Sequence, residues 1–149
     1  MVELSTQLRS LLVAEAERAR IAVAADCAAI SHWDRDSDVL RTLVNVGALL
    51  PGDERFPEDE VYPLDSFPVV AALLRAGRPY LNPGDVSSAA VAAHHLYGSH
   101  AAVPVVVDGE RWGELWVCRE LGAEMLVEGD INSLHLLADR LGDALAAYV

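Results

Sequence analysis

Ser99-His100-Ala101-Ala102-Val103-Pro104-Val105-Val106-Val107-Asp108-Gly109-Glu110-Arg111-Trp112-Gly113-Glu114-Leu115-Trp116-Val117 is the stretch whose reading decides the fold. Ser99 to Val107 is apolar and rich in valine, and Trp112 to Arg119 answers it with alternating side chains. Asp108-Gly109 between them accepts the positive φ angles of a tight two-residue turn. The segment therefore reads as an antiparallel hairpin. A period of two puts Trp112, Glu114, Trp116 and Cys118 on one face, and Leu115 and Val117 on the other.

Working back from the hairpin, Val86 to Tyr97 reads as an alanine-rich helix stopped by Gly98. Arg78 to Asn82 is a brief extended piece ended by Pro83-Gly84. Ser66 to Gly77 is a short helix, with Asp65 or Ser66 as cap, Pro68 in its first turn and Gly77 at its stop. Ala48 to Asp65, with three prolines and five acids between Asp53 and Glu60, reads as a long surface loop of the kind that carries function. Cys27 to Trp33 and Val39 to Val46 are strands joined by the Asp- and Ser-rich turn at 34–38.

Helices close both ends. In Val2 to Ala25 the apolar residues Leu4, Leu8, Leu11, Leu12, Ala16 and Ala19 recur three and four apart. Glu15, Glu17, Arg18 and Arg20 fall on the opposite, solvated side. In Asp130 to Val149 the residues Ile131, Leu134, Ala138, Leu141, Leu145 and Tyr148 form a heptad-like seam. Strands and helices mix without regular βαβ alternation, so the expected class is α+β, an antiparallel sheet covered by helices. No internal repeat or linker divides the chain, and residues 1–149 read as one domain.

Composition narrows the function. Hydrophobic residues make up 52% of the chain, enough for a core at 149 residues. The net charge is −12, and all 11 basic residues are arginine. Such a chain repels a phosphate backbone and an anionic lipid surface, so nucleic acid and membrane are not expected partners. Residues 86–107 lack Asp, Glu, Lys and Arg, but three histidines, Gly98 and Pro104 rule out a membrane span. No secretory pattern opens the chain, and a cytoplasmic location is expected. Cys27 and Cys118 are too far apart in sequence to suggest a zinc site or a disulfide framework, and read as two buried thiols.

The hairpin and its surroundings resemble the GAF family. The carriers are Val103-Pro104, the Asp108-Gly109 turn and Gly113-Glu114-Leu115, with Val44-Asn45-Val46-Gly47 at the end of the second strand and Arg75-Ala76-Gly77-Arg78-Pro79-Tyr80 at a helix-to-strand step. The resemblance implies a GAF-like (profilin-like) antiparallel sheet sandwiched between the terminal helices and the pocket-side short helices. It implies a small-molecule pocket on the latter side, a sensory or regulatory role without catalysis, and a homodimer through residues 4–19 and 131–148. Family signatures are also missing. A chain without lysine cannot contain the Asn-Lys-Phe-Asp-Glu signature of cyclic-nucleotide-binding members. Ala93-His94-His95-Leu96 has no cysteine for a bilin. A free methionine sulfoxide reductase, the enzyme alternative, uses several cysteines where this chain has two.

The candidate ligand-binding residues follow from chemistry. Trp33, Tyr62, Phe67, Tyr80, Tyr97 and Trp116 offer aromatic surface with, in most cases, a polar tip. Cys118 shares the Trp116 face. Arg41 and Asn45 fall on one face of the second strand, where the arginine is suited to a carboxylate or phosphate. His94, His95 and His100 carry the alternative of a haem, metal or redox sensor. Neighbouring helical residues point about 100° apart, however, and the His-x-x-x-His spacing is absent. The acids Asp53, Glu54, Glu58, Asp59 and Glu60 read as a solvated charge run. No catalytic residue, metal site or cofactor is indicated.

Overall fold

The computed structural model describes residues 2–49, 51–82, 97–120 and 122–148. Within them the chain runs α1 (Thr6–Ala22), β1 (Cys27–Asp34), β2 (Val39–Gly47), β3 (Val61–Pro63), α2 (Pro68–Ala76), β4 (Tyr80–Asn82), β5 (Tyr97–Val107), β6 (Glu110–Glu120) and α3 (Glu128–Leu145). The six strands form one antiparallel sheet in the order β3-β2-β1-β6-β5-β4. The α+β class and the hairpin are as expected. Val107 pairs with Glu110, and Asp108 and Gly109 turn the corner at φ 50° and 81°, the left-handed pair such a turn requires.

Local chemistry sets the boundaries. The Ser5 hydroxyl accepts from the Leu8 N–H at 3.1 Å, so α1 starts at Thr6 rather than Val2. Neither Asp65 nor Ser66 caps α2. A short 3-10 turn takes up Leu64–Ser66, and Pro68, which has no N–H to satisfy, opens the helix. Val61–Pro63, expected inside a loop, pairs with β2 through Val39, Leu40 and Arg41. The helix expected at 86–97 lies outside the described residues up to 96, and Tyr97 and Gly98 already belong to β5.

The sheet separates two layers. On one side α1 and α3 bury Leu8, Leu12, Ala16 and Ala19 with Ile131, Leu134, Ala138, Leu141 and Leu145 against Ile30, Val44, Val103, Leu115 and Val117. At about 25 cal/mol per Å² of apolar surface, this is the main source of stability. The residues expected to join two chains are therefore used inside one. A homodimer through these helices would have to use their outer faces, where Ile21 is 67% and Leu136 72% exposed. Glu15 also departs from expectation. It is buried, and its carboxylate accepts from Arg140 Nε at 3.2 and 3.3 Å, tying α1 to α3. On the other side α2 packs Val70, Leu73 and Leu74 with Leu40, Leu64 and Ala102.

Two β-bulges redirect side chains. Ile30 faces Val44 but Ser31 faces Thr42, so Leu43 is an extra residue in β2. Leu43 and Val44 both enter the helix-side core, and Arg41 and Asn45 lose their common face. Likewise Val105 faces Gly113 and Val106 faces Arg111, so Trp112 is the extra residue in β6. Trp112 turns to the helix-side core, away from Glu114, Trp116 and Cys118, and meets His32 at a tilt of 58° with ring centroids 4.9 Å apart.

Candidate functional site

On the α2 side of the sheet lies a cavity of about 40 Å³, room for a few waters or one small head group. Its floor is Ala29 and Ser31 of β1, Thr42 and Asn45 of β2, and Glu114 and Trp116 of β6. Tyr62 of β3, Val70 of α2, and Asp53 and Glu60 from the segment before β3 form its walls. The Leu43 bulge helps build the floor, because it lets Thr42 and Asn45, an odd number of residues apart, face the same cavity.

A polar network lines one wall. Asn45 Nδ2 donates to Glu60 Oε1 at 3.2 Å and to the Glu54 carbonyl at 3.0 Å. The Tyr62 hydroxyl donates to Glu60 Oε2 at 3.2 Å. Burial, with the Glu60 charge behind it, holds the Tyr62 hydroxyl above its usual range and so fully protonated. Ser31 Oγ donates to Thr42 Oγ1 at 3.3 Å.

Glu114 is the exceptional group. It is 5% exposed, and its Oε2 has no hydrogen-bond partner among the described residues. Burial raises its pKa to about 8, so the acid is mostly protonated at neutral pH. An unmatched buried carboxyl costs on the order of 1–3 kcal/mol, and such groups concentrate at functional sites.

Beside the cavity, Trp116 Nε1 donates to His100 Nδ1 at 3.3 Å, which places the ring proton on Nε2. His100 is fully buried, edge-on to Tyr80 at 5.5 Å, and burial lowers its pKa to about 4. Behind Trp116, Cys118 Sγ lies 3.0 Å from Cys27 Sγ. The two thiols are direct cross-strand partners. The bond to Cys27 and burial push the Cys118 thiol up, away from the reactive thiolate.

Residues 7–145 match the GAF domain family. The chain belongs to that family. A comparison with curated proteins finds no match. Solved structures share the architecture. A methyl-accepting chemotaxis protein, residues 122 to 287, aligns at TM-score 0.74 and 23% identity, covering 94% of this chain and 89% of that one. The blue-light absorbing form of the Thermosynechococcus elongatus PixJ GAF domain aligns at 0.74 and 19%, covering 99% and 90%. The second GAF domain of DevS from Mycobacterium smegmatis aligns at 0.71 and 16%, covering 91% and 90%. At these identities the likeness shows the fold.

Of the residues singled out in the sequence, this GAF domain brings Asn45, Tyr62 and Trp116 to the cavity. Phe67 and Tyr80 stand one layer out, Phe67 edge-on to Tyr62 at 5.3 Å. Trp33 donates to Asp38 and carries the Arg35 guanidinium 4.2 Å above its ring. Arg41 turns away, toward Asp34 at 3.9 Å, and offers the cavity no cation. His100 and Cys118 sit behind Trp116. His94 and His95 lie outside the described residues. Tyr97 pairs with Glu120 in β5 and its side chain is not described. Among the described residues no group of three or more His, Cys, Asp or Glu is arranged to hold a metal, and no helix is long and apolar enough to cross a membrane.

The sequence reading missed Glu114, Ser31, Thr42, Asp53 and Glu60. Asp53 and Glu60 were taken for a solvated run. Glu114 carried a signal, a lone charge on a strand face otherwise made of Trp116 and Cys118.

Proposed function

We propose that this chain is a sensory domain that binds a small molecule in the cavity above Glu114 and reports occupancy through its terminal helices, without catalysing a reaction. The observation that carries the reading is the buried, unmatched Glu114 carboxyl on the floor of a cavity with hydroxyl, amide and aromatic walls. Its place between the sheet and the α2 layer is where a GAF domain keeps its pocket. β6 links the cavity to the helix layer, because Glu114 and Trp116 face the ligand side while Leu115 and Val117 pack under α1 and α3. Native mass spectrometry of the freshly purified protein, beside a thermal-shift screen of metabolites, tests the reading. A bound small mass, or a compound that raises the melting temperature of the wild type and not of Thr42→Trp, supports it. Absence of both refutes it.

A further inference from the structure

The electrostatics of the cavity specify a class of ligand. Three carboxyl side chains, Asp53, Glu60 and Glu114, reach it, and no arginine lines it. Of the arginines nearby, Arg41 turns toward Asp34, Arg75 sits on Asp38, Arg111 on the Leu74 and Arg75 carbonyls and Arg119 on the Val23 carbonyl, while Arg55, whose carbonyl accepts from the Asn45 N–H, does not line the cavity. The chain has no lysine, and its stretch 83–96 adds no arginine. Glu60 is matched by Asn45 and Tyr62. Among the described residues no donor reaches Glu114 Oε2. Among the described residues, a carboxylate or phosphate brought here meets like charge with no lining cation to offset it. A cation with N–H donors meets what the site lacks.

We propose that the cavity binds the cationic head of a small organic molecule, a protonated amine or a guanidinium, whose N–H groups donate to Glu114 while Tyr62 and Trp116 flank it. This rests on the reading of the cavity as a ligand site. The volume of about 40 Å³ suits three or four heavy atoms, with the remainder of the molecule leaving past Asp53 and Glu60. Aromatic rings beside a desolvated cation add attraction.

The complex forms with a proton released. In the empty site Glu114 is protonated at neutral pH. The arriving cation pairs with the carboxylate, and the displaced proton goes to solvent. Among the described residues, the titratable groups facing Glu114 are Asp53 and Glu60 before β3, Tyr62 of β3 and Tyr80 of β4. From β1, β2, β5 and α2 it faces Ser31, Thr42, Pro104 and Val70, which do not titrate. Affinity therefore rises with pH, by at most about tenfold per unit, and levels above about 8.

Calorimetry on the whole 149-residue protein tests this with four small probes that differ in charge: propylammonium, ethylguanidinium, propionamide and propionate. Titrations at pH 6, 7 and 8, in buffers of different ionisation enthalpy, count protons. The expected result is that a cation binds, propionate does not, and close to one proton leaves at pH 6–7. Glu114→Gln, checked for an intact melting transition, then loses at least tenfold in affinity together with the pH slope and the proton release. Equal binding of propionamide or propionate overturns the proposal, as does an unchanged pH slope in Glu114→Gln. If no probe binds but native mass spectrometry finds a neutral or anionic molecule, the cation class falls and the site stands. If neither finds anything, both fall.

Discussion

Replacing Glu114 by glutamine removes a proton equilibrium and little else, so it isolates what the buried acid does to stability. Unfolded, the carboxyl titrates near 4.5, and in the fold burial raises it to about 8. Between those values the native state holds a proton that the unfolded state has lost. Stability therefore falls as pH rises from 4.5 to 8 and levels above that, the reverse of the usual salt-bridged carboxylate. At about 1.4 kcal/mol per pH unit, the cost is under ~1 kcal/mol at pH 5, roughly 3 kcal/mol at pH 7 and ~4–5 kcal/mol at pH 8.5. Glutamine keeps the shape of the protonated acid and does not titrate. Urea unfolding of wild type and Glu114→Gln at pH 5, 7 and 8.5 is the assay. With an m-value of about 2 kcal/mol/M, the midpoint of the variant should exceed that of the wild type by roughly 1.5 M at pH 7. The gap should nearly close at pH 5. Other titrating groups act on both proteins and cancel in the difference. Parallel pH profiles would refute the reasoning, because the carboxyl would then be hydrated or matched by a donor.

Four further outcomes are expected. Gly142→Ala should lower stability by about 2 kcal/mol, because a Cβ on that face of α3 overlaps the Val106 carbonyl oxygen; Gly129→Ala, with open space around it, should be neutral or gain up to ~1 kcal/mol, both read from urea midpoints. Arg140→Ala should cost more than Glu15→Gln, about 2 against 1 kcal/mol, because it leaves a buried carboxylate with only the longer 3.7 Å pairing to Arg18 while Arg140 itself is half in water. Cys27 and Cys118, 3% and 0% exposed, should resist a bulky thiol reagent at pH 8 until the protein unfolds, and a reactive native thiol would contradict their placement. His100, lowered to about 4 by burial, should give an NMR titration midpoint below 5. Its contribution to stability is present above pH 6.5 and lost as pH falls toward 4, and a midpoint near 6.5 would contradict its burial.

What could be read in the sequence divides along physical lines. The hairpin at 99–119 and the stripes of α1 and α3 are local patterns, carried by residues two, three or four apart, and they were legible. The bulges at Leu43 and Trp112 were not. A bulge is a relation between two strands, and nothing in Arg-Thr-Leu-Val or Arg-Trp-Gly-Glu announces the extra residue. A strict period of two therefore set Arg41 on the face of Asn45 and Trp112 on that of Glu114, and the bulges separate both pairs. The pairing of β1 with β6, which sets Cys27 opposite Cys118, joins residues 91 apart, beyond any periodicity. Glu15 failed for another reason. Its α1 position reads as solvated, and the arrival of Arg140 from α3, added to Arg18 at 3.7 Å on the same helix, makes burial tolerable.

Glu114 shows why a site is harder to read than a core. A buried strand position takes an uncharged residue, so the lone acid is an anomaly only if its face is buried, and alternation alone does not say which face that is. The acid lowers stability at neutral pH by an amount comparable to a sizeable fraction of a small domain's total. A cation bound against it would offset that cost, and the energy gained on binding would be released directly beneath the strand on which α1 and α3 rest. A residue that weakens the empty fold and is matched only by an outside molecule makes occupancy and stability the same quantity. In a ligand-binding domain of the kind proposed, that coupling would itself be a means of signalling.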